Sequence, residues 1–252
     1  KGRFFVYAVS PLLYNLGIII GIVFLEPLLG LSGLAWGVVL GALLHALVQV
    51  PSVARTKLLP RATLRMQWRE LKHISLLSLP RTASLAAGNI ASLILLSLAS
   101  SVGAGSVAIF TLASNVQSVP LAIVGVSYSL AAFPTLVRLS AMTHASAFTA
   151  SVSTAFRSIV FWSLPATALF IVLRAQVVRV VLGAGEFSWA DTRLTAAALA
   201  LFAVSLVAQA LALLLLRAHY ASGRTARPLL ASALAAITTV ALGVGLLTLF
   251  RA

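Results

Sequence analysis

The residues best suited to chemistry are an arginine and the small polar residues that follow it in "LPRTASLAAGNIASL". Arg81, Ser84, Gly88 and Ser92 recur at helical spacing and therefore share one helix face. A charge near the centre of a membrane helix costs about 3 kcal/mol, so its presence there points to function. Guanidinium binds phosphate through paired hydrogen bonds, and this face suits a cavity that holds an anion. Alternatively, Arg81 extends to the headgroups at the membrane surface.

A second polar set interrupts the apolar stretch "NVQSVPLAIVGVSYSLAAFPTL" (115–136). Small or polar residues recur there at spacings of three and four, at Asn115, Ser118, Ala122, Gly125, Ser129 and Ala132. Such a face either packs closely on another helix or lines a wet cavity. With a cavity, Asn89, Asn115 and Gln117 are predicted to be polar partners of Arg81 in substrate binding.

The same stretch contains residues that loosen a helix. Pro120 and Pro134 each remove a backbone donor, and Gly125 lies between them. Bent helices with a polar inner face are typical of transporters, so these three residues are predicted to let the helix bend.

The elements that carry these residues are predicted to be membrane helices. Of the 252 residues, 61% are hydrophobic and 9% charged, whereas a soluble domain needs roughly 25% charged residues. A spanning helix needs about 20 mostly apolar residues, and helices satisfy their own backbone in lipid. We predict an all-α, polytopic membrane helix bundle with seven spans, at 4–25, 28–53, 74–101, 106–137, 155–182, 191–216 and 228–250. Because the chain begins at Lys1 rather than Met, it is expected to be an internal piece of a longer protein.

The charges fall mainly on one side of the membrane if the seven spans alternate. That side holds most of the 18 Lys and Arg residues, at Lys1, Arg3, Arg55, Lys57, Arg61, Arg65, Arg69, Lys72, Arg138, Arg157, Arg217, Arg224 and Arg227. The opposite loops hold Glu26, Glu186 and Asp191, with only Arg193 beside them. Cytoplasmic loops are rich in Lys and Arg, so the basic side is predicted to be cytoplasmic. This distribution also explains the net charge of +14 without a nucleic-acid partner.

One basic loop, "RTKLLPRATLRMQWRELKH" (55–73), has its charges at helical spacing beside an apolar stripe that includes Trp68. Such a segment is expected to lie in the membrane interface. It serves either as a connector between two helical bundles or as a recruiter of a lipid substrate.

Several classes of site are excluded or disfavoured. The chain has no cysteine, and its four histidines are isolated, so neither a thiol nucleophile nor a metal site is expected. No phosphate-binding loop of an ATPase appears, and no cofactor is predicted. Glu186 and Asp191 are predicted to cap the following helix. With four acidic residues in all, a membrane-embedded glycosyltransferase is disfavoured.

Six collinear stretches together resemble the bacterial lipid II flippase (MurJ, or MviN) family of the multidrug/oligosaccharidyl-lipid/polysaccharide exporter superfamily. They are "SPLLYNLGIIIG", "GLAWGVVLGALLHALVQVP", "LPRTASLAAGNI", "GSVAIFTLASNVQSVPLAIVGVSYSLAAFPTL", "VVRVVLGAGEFSWADT" and "LLLRAHYASGRTARP". The four-residue glycine spacing in the second stretch, at Gly33, Gly37 and Gly41, predicts helix packing.

The resemblance implies part of a two-lobed transporter in the bacterial inner membrane. Residues 1–53 would be the last two helices of the first lobe, 54–73 the cytoplasmic connector, and 74–252 the first five helices of the second lobe. The implied activity is the outward movement of a polyprenyl-pyrophosphate-linked cell-wall precursor by alternating access, without enzymatic chemistry. The implied partners are this anionic lipid-linked substrate, membrane lipids and cell-wall synthesis proteins.

The chain departs from the family pattern at two places. Members usually have an arginine where this sequence has Asn115, and some bind sodium through an acid in the helix that corresponds to 74–101, which has none here. Two rivals therefore remain: an exporter of another lipid-linked glycan or of drugs, and a non-transporting scaffold for cell-wall synthesis.

Overall fold

The computed structural model describes residues 4–55, 68–185 and 187–251, and every regular element within these ranges is a helix. The all-α prediction is confirmed. Contacts divide the chain into two compact units, Lys1–Gln67 and Trp68–Ala252.

The first unit is an antiparallel helical hairpin. Its elements are α1 (Phe4–Ile20), a π-helical segment (Gly21–Leu25), α2 (Glu26–Leu29) and α3 (Leu31–Arg55). Gly30, with a φ of 61°, turns the chain between α2 and α3 in a conformation that favours glycine.

The two long helices of this hairpin touch through their glycines. Gly17 contacts Gly41, and Gly21 contacts Gly37, which gives an antiparallel register. A Cβ atom added at Gly37 would lie 2.6 Å from the Cα atom of Gly21, so no side chain fits there. The prediction that the evenly spaced glycines serve helix packing is confirmed.

The second unit has eight helices and one π-helical segment among its described residues. In chain order they are α4 (Trp68–Ser100), α5 (Ser106–Pro120), the π-helical segment Leu121–Val126, α6 (Ser127–Ala141), α7 (Ala145–Val172), α8 (Arg174–Leu182), α9 (Trp189–Val204), α10 (Leu206–Ala221) and α11 (Ala226–Arg251).

Buried side chains among the described residues of this unit form two clusters. One joins α5, α8 and α9 through Ala113, Val116, Val178, Ala196 and Leu199. The other joins the π-helical segment Leu121–Val126 to α7 and α10 through Val124, Ala155, Ile159, Ala210 and Leu214. Helix α10 therefore packs directly on the segment that interrupts α5 and α6.

Helices α4 and α11 form a parallel pair. The hydroxyls of Ser84 and Ser232, which are 148 residues apart in sequence, lie 2.7 Å from each other. Further along the pair, Gly243 of α11 contacts Leu95 of α4, and these two residues have the same separation in sequence. A constant offset between contacts means that the two helices run in the same direction.

Within the described residues, six helical stretches are long and apolar enough to cross a membrane: Val9–Leu29, Leu31–Ala54, Ile74–Ser100, Ser106–Ala141, Ala145–Val172 and Ala226–Leu249. The pair Trp189–Val204 and Leu206–Ala221, bent by 44°, adds a seventh if it is one span. The predicted polytopic bundle is confirmed.

The predicted boundaries of the fifth and sixth spans are wrong. The fifth span begins at Ala145 instead of 155 and ends at Val172, and residues 174–182 form a separate helix. Arg157 is exposed and did not prevent the helix from starting earlier. At the other end, the Arg174 Nη1 atom donates to the Ile171 carbonyl at 2.9 Å, in the last turn of α7. Arg157 therefore lies in a helix, and α8 places two arginines beyond the end of the fifth span.

The sixth span is broken at Ser205. The Ser205 hydroxyl donates to the Phe202 carbonyl at 2.7 Å and accepts from the Gln209 amide at 2.6 Å. Polar groups inserted into the backbone ladder are a recognised cause of helix kinks. The second half of this span continues to Ala221, so Arg217, which was predicted to lie in a loop, is inside α10.

The predicted connector lies only partly within the described residues. Arg61 and Arg65 fall in 56–67, outside them, whereas residues from Trp68 onward already belong to α4. Trp68 is exposed.

Candidate functional site

The polar face predicted on α4 lines a single cavity of about 580 Å³. Arg81, Ser84, Gly88 and Ser92 all border it, as their helical spacing predicted. Arg81 is exposed, whereas Ser84 is buried and paired with Ser232 on α11. The cavity thus brings a guanidinium and several hydroxyls to one side of α4.

Helices α10 and α11 supply the other walls of this cavity. Arg217 and Tyr220 come from α10, and Ser232 and Thr239 come from α11. The guanidinium carbon of Arg81 lies 5.4 Å from the centroid of the Tyr220 ring, within the range of a cation–π interaction. We call this space the Arg81 cavity.

A second cavity of about 440 Å³ lies between α4 and α5. Its polar lining consists of Asn89, Ser92, Thr111, Ser114 and Asn115. Asn89 and Ser92 border both cavities, so the two spaces adjoin along α4. The structure therefore brings together three of the four predicted substrate-binding residues, Arg81, Asn89 and Asn115.

The fourth predicted residue, Gln117, borders neither cavity. Its side chain is 3% exposed, and its amide nitrogen has no hydrogen-bond partner. An unpaired buried polar group costs about 1–3 kcal/mol. A role in substrate binding would require Gln117 to become exposed in another state.

Arg217 is a site residue that sequence reasoning missed. Its Nη1 atom donates to the Val126 carbonyl at 3.0 Å and to the Ser129 hydroxyl at 2.8 Å, both across from α10. The signal was present, because Arg217 and Tyr220 are three residues apart, one helical turn, at the end of an apolar run.

The small-residue face of 115–136 was predicted either to pack on another helix or to line a cavity, and each interpretation holds for one part of it. Asn115, Ser118 and Ala122 are exposed, whereas Gly125 and Ser129 are buried. A Cβ atom at Gly125 would lie 2.9 Å from the Cα and Cβ atoms of Ala210, so this part of the face packs on α10. The part of the face with Asn115 and Ser118 is therefore exposed, and the part with Gly125 makes a helix contact.

The three predicted bending residues lie around the π-helical segment Leu121–Val126. Pro120 comes directly before the segment and is buried, Gly125 lies inside it, and Pro134 is exposed in α6. π-Helical segments occur often at functional sites in α-helices. Bending between states stays a prediction.

No group of three or more His, Asp or Glu side chains close enough to hold a metal ion occurs in the described parts of the chain. Asp191 instead caps α9, because its carboxylate accepts from the Ser188 backbone at 3.0 Å and the Ser188 hydroxyl accepts from the Asp191 backbone at 3.2 Å. The predicted capping role of Asp191 is confirmed. Glu186 lies outside the described residues.

Comparison with known proteins places the chain in a family. The family model described as "Lipid II flippase MurJ" matches residues 1–252. A probable lipid II flippase MurJ of Bdellovibrio bacteriovorus is 27% identical over 231 residues, which cover 90% of this chain and 44% of that protein. A second, of Thermotoga maritima, is 26% identical over 242 residues, covering 96% of this chain and 48% of that protein.

A solved structure supports the fold. A lipid II flippase MurJ in an inward closed conformation superposes with a TM-score of 0.75 at 21% identity, over 96% of this chain and 50% of that one. The chain thus spans about half the length of the relatives that it matches. Its apolar helices and these relatives make it a multi-pass protein of the inner membrane. The chain belongs to the lipid II flippase MurJ family.

Proposed function

We propose that the complete protein moves lipid II, a polyprenyl-pyrophosphate-linked peptidoglycan precursor, across the cytoplasmic membrane by alternating access. The observation that carries the proposal is the Arg81 cavity, in which a guanidinium stands above an aromatic ring among hydroxyl groups. A guanidinium forms charge-assisted hydrogen bonds with an anion such as phosphate, and these are stronger than bonds between neutral groups. No covalent step is required of the protein.

The amides of the adjoining cavity suit the rest of such a headgroup. Asn89 and Asn115 each carry donors and an acceptor, which match sugar hydroxyls as well as phosphate oxygens. Asn115 brings no charge where the family resemblance leads one to expect an arginine. In this proposal Arg81 supplies the cation and Asn115 a neutral contact.

The domain and orientation predictions extend this proposal. Residues 1–53 would end the first lobe, 54–73 would connect the lobes on the cytoplasmic face, and 74–252 would begin the second lobe. The basic loops would then be cytoplasmic, near anionic lipids and cell-wall synthesis proteins. Bending at Pro120, Gly125 and Pro134 would let the cavity face each side of the membrane in turn.

The test is rescue of cells depleted of their own lipid II flippase by the complete gene. The unaltered gene should rescue, and Arg81→Ala should lower rescue about tenfold or more at normal abundance, since a charged hydrogen bond contributes about 1.5–3 kcal/mol. Arg81→Lys should retain part of the activity. Arg138→Ala is the matched control, because Arg138 is exposed in α6 and borders neither cavity.

A scaffold for cell-wall synthesis is a second candidate, favoured by the missing charge at Asn115. A non-transporting scaffold cannot replace the flippase, so full rescue by Arg81→Ala would instead show that transport does not need Arg81. Failure of the unaltered gene to rescue, at normal abundance, would overturn lipid II as the substrate and favour export of another lipid-linked glycan or of drugs.

A further inference from the structure

Helix α8, between the fifth and sixth spans, is too short to cross a membrane. It has nine residues, about 14 Å of helix, whereas the hydrocarbon core of a bilayer is about 30 Å thick. Leu173 both ends α7 and begins α8, and the segment 183–188 then leads to α9. Because α7 belongs to one span and α9 begins the next, α8 is held close to the membrane surface.

One side of α8 packs in the protein interior, and another side is apolar and exposed. Val178 is fully buried in the cluster that joins α5, α8 and α9. Val180 and Val181, by contrast, are 85% and 61% exposed. Exposed apolar side chains continue on both sides of α8, at Val172, the last residue of the fifth span, and at Trp189, the first residue of α9. An exposed apolar patch of this kind marks contact with a membrane or with protein, and its continuity with a membrane span favours the membrane.

The polar side chains of α8 lie on a different side from Val181. Gln176 and Arg179 are both exposed and are three residues apart, so they are neighbours on the helix surface. At 3.6 residues per turn, Val181 lies about 140° around the axis from Gln176, and Val180 lies between them. A helix that is apolar on one side and polar on another suits the boundary between lipid headgroups and acyl chains.

Two arginines of α8 attach the helix to the segments that flank it. The Arg174 Nη1 atom donates to the Ile171 carbonyl at 2.9 Å, and the Arg179 Nη1 atom donates to the Phe187 carbonyl at 3.1 Å. A guanidinium has several N–H donors, and a long arginine side chain can extend along an apolar surface to lipid phosphates. Both arginines are therefore suited to the level of the headgroups.

We propose that α8 is a membrane-surface helix whose partner is the phospholipid bilayer. Val180 and Val181 insert among the upper parts of the acyl chains of one leaflet, while Gln176 and Arg179 face the headgroups and water. This inference concerns a part of the chain outside both cavities and does not depend on the proposed function. Water, another segment of the complete protein or a partner protein are the other possible occupants of the apolar side, and each gives a different result in the test below.

The test uses the complete protein in phospholipid nanodiscs, with one fluorescent label on a single introduced cysteine. This chain has no cysteine of its own, and any cysteine outside it is replaced by serine. A label on Val181→Cys should lose fluorescence to lipids that carry a nitroxide near the top of the acyl chain, because an interfacial helix buries its apolar side about 5–10 Å into the boundary region. Gln176→Cys is the matched control on the same helix, and its label should be quenched by iodide in the water instead.

Three outcomes would overturn the inference. Iodide quenching at both positions would place α8 in water. Stronger quenching of the Val181→Cys label by a nitroxide deep in the acyl chain than by the shallow one would place α8 inside the bilayer. A label at this position that neither iodide nor either lipid quenches would be covered by protein. If Val181→Cys does not fold, Val180→Cys decides by the same criteria, since Val180 is the more exposed of the two valines.

Discussion

The guanidinium carbon of Arg81 on α4 lies 5.4 Å from the ring centroid of Tyr220 on α10. A cation over an aromatic face gains about 0.5–1 kcal/mol when exposed and about 2 kcal/mol when desolvated. The ring therefore holds the guanidinium against the cavity wall and orients the donors that the proposed substrate needs.

Replacing the ring of Tyr220 should weaken anion binding more than it weakens the fold. We expect Tyr220→Leu to lower affinity for farnesyl diphosphate about twofold to thirtyfold, because the cation–π energy is lost. Tyr220→Phe keeps the aromatic face and should stay within about twofold. Titration of the complete protein in nanodiscs measures the affinity of both variants. If Tyr220→Phe and Tyr220→Leu lose the same affinity, the aromatic face does not contribute to binding.

Gly125 is a position where α10 closely approaches the π-helical segment Leu121–Val126. A valine at this position would collide with Ala210, because its Cβ atom would stand 2.9 Å from the Cα and Cβ atoms of that residue. Overpacking of this kind costs about 1–3 kcal/mol. Gly125→Val should therefore lower the melting temperature in detergent, whereas Gly245→Val, with nothing within 4 Å, should change it little. If Gly125→Val and Gly245→Val had the same melting temperature, the close contact of Gly125 with Ala210 would be refuted.

Local patterns predicted the features that depend on neighbours in sequence. Apolar length predicted the membrane helices, four-residue glycine spacing predicted that the face with Gly37 packs on a helix, and helical spacing predicted that Arg81 and Ser84 share a face. The Asp191 cap followed from the residue types at the start of α9. Each of these depends on backbone geometry within a few residues.

Features that depend on distant contacts could not be predicted in the same way. Arg217 ends an apolar run, which suits a loop as well as a helix, and its helix continues where it can bond to Ser129, 88 residues earlier. Gln117 and Asn115 are close in sequence and both polar, yet neighbouring helices bury one and leave the other exposed. Helical spacing in the sequence shows which residues share a helix face, but the neighbouring helices decide whether that face is buried or exposed.

The cap of α9 gives a stability prediction outside the cavities. Ser188→Ala removes the hydroxyl that accepts from the Asp191 backbone, and loss of an N-cap costs about 0.5–2 kcal/mol. The melting temperature should fall, while rescue stays unchanged. Thr154→Ala serves as the control, since its exposed hydroxyl bonds only within α7. An effect no larger than that of Thr154→Ala would contradict the cap.

Gln117 combines deep burial with an unpaired amide nitrogen. Gln117→Met removes the unpaired group at similar volume and should leave stability unchanged or raise it by about 1–3 kcal/mol. The melting temperature in detergent measures this. Rescue of flippase-depleted cells tests the proposed substrate contact separately: a stable Gln117→Met protein that fails to rescue would show that the amide acts in another state, whereas full rescue would remove Gln117 from the site.

Asn115 borders the smaller cavity and is exposed, so the space beside it can accept a longer side chain. Asn115→Arg would add a guanidinium to the wall that Asn89 shares with the Arg81 cavity. A charged hydrogen bond exceeds a neutral one by about 1–1.5 kcal/mol, so affinity for farnesyl diphosphate should rise roughly fivefold to tenfold and fall more steeply with salt. Asn115→Leu should weaken binding instead. If neither variant changes affinity while both fold, Asn115 does not meet the headgroup, and the smaller cavity is not part of the substrate path.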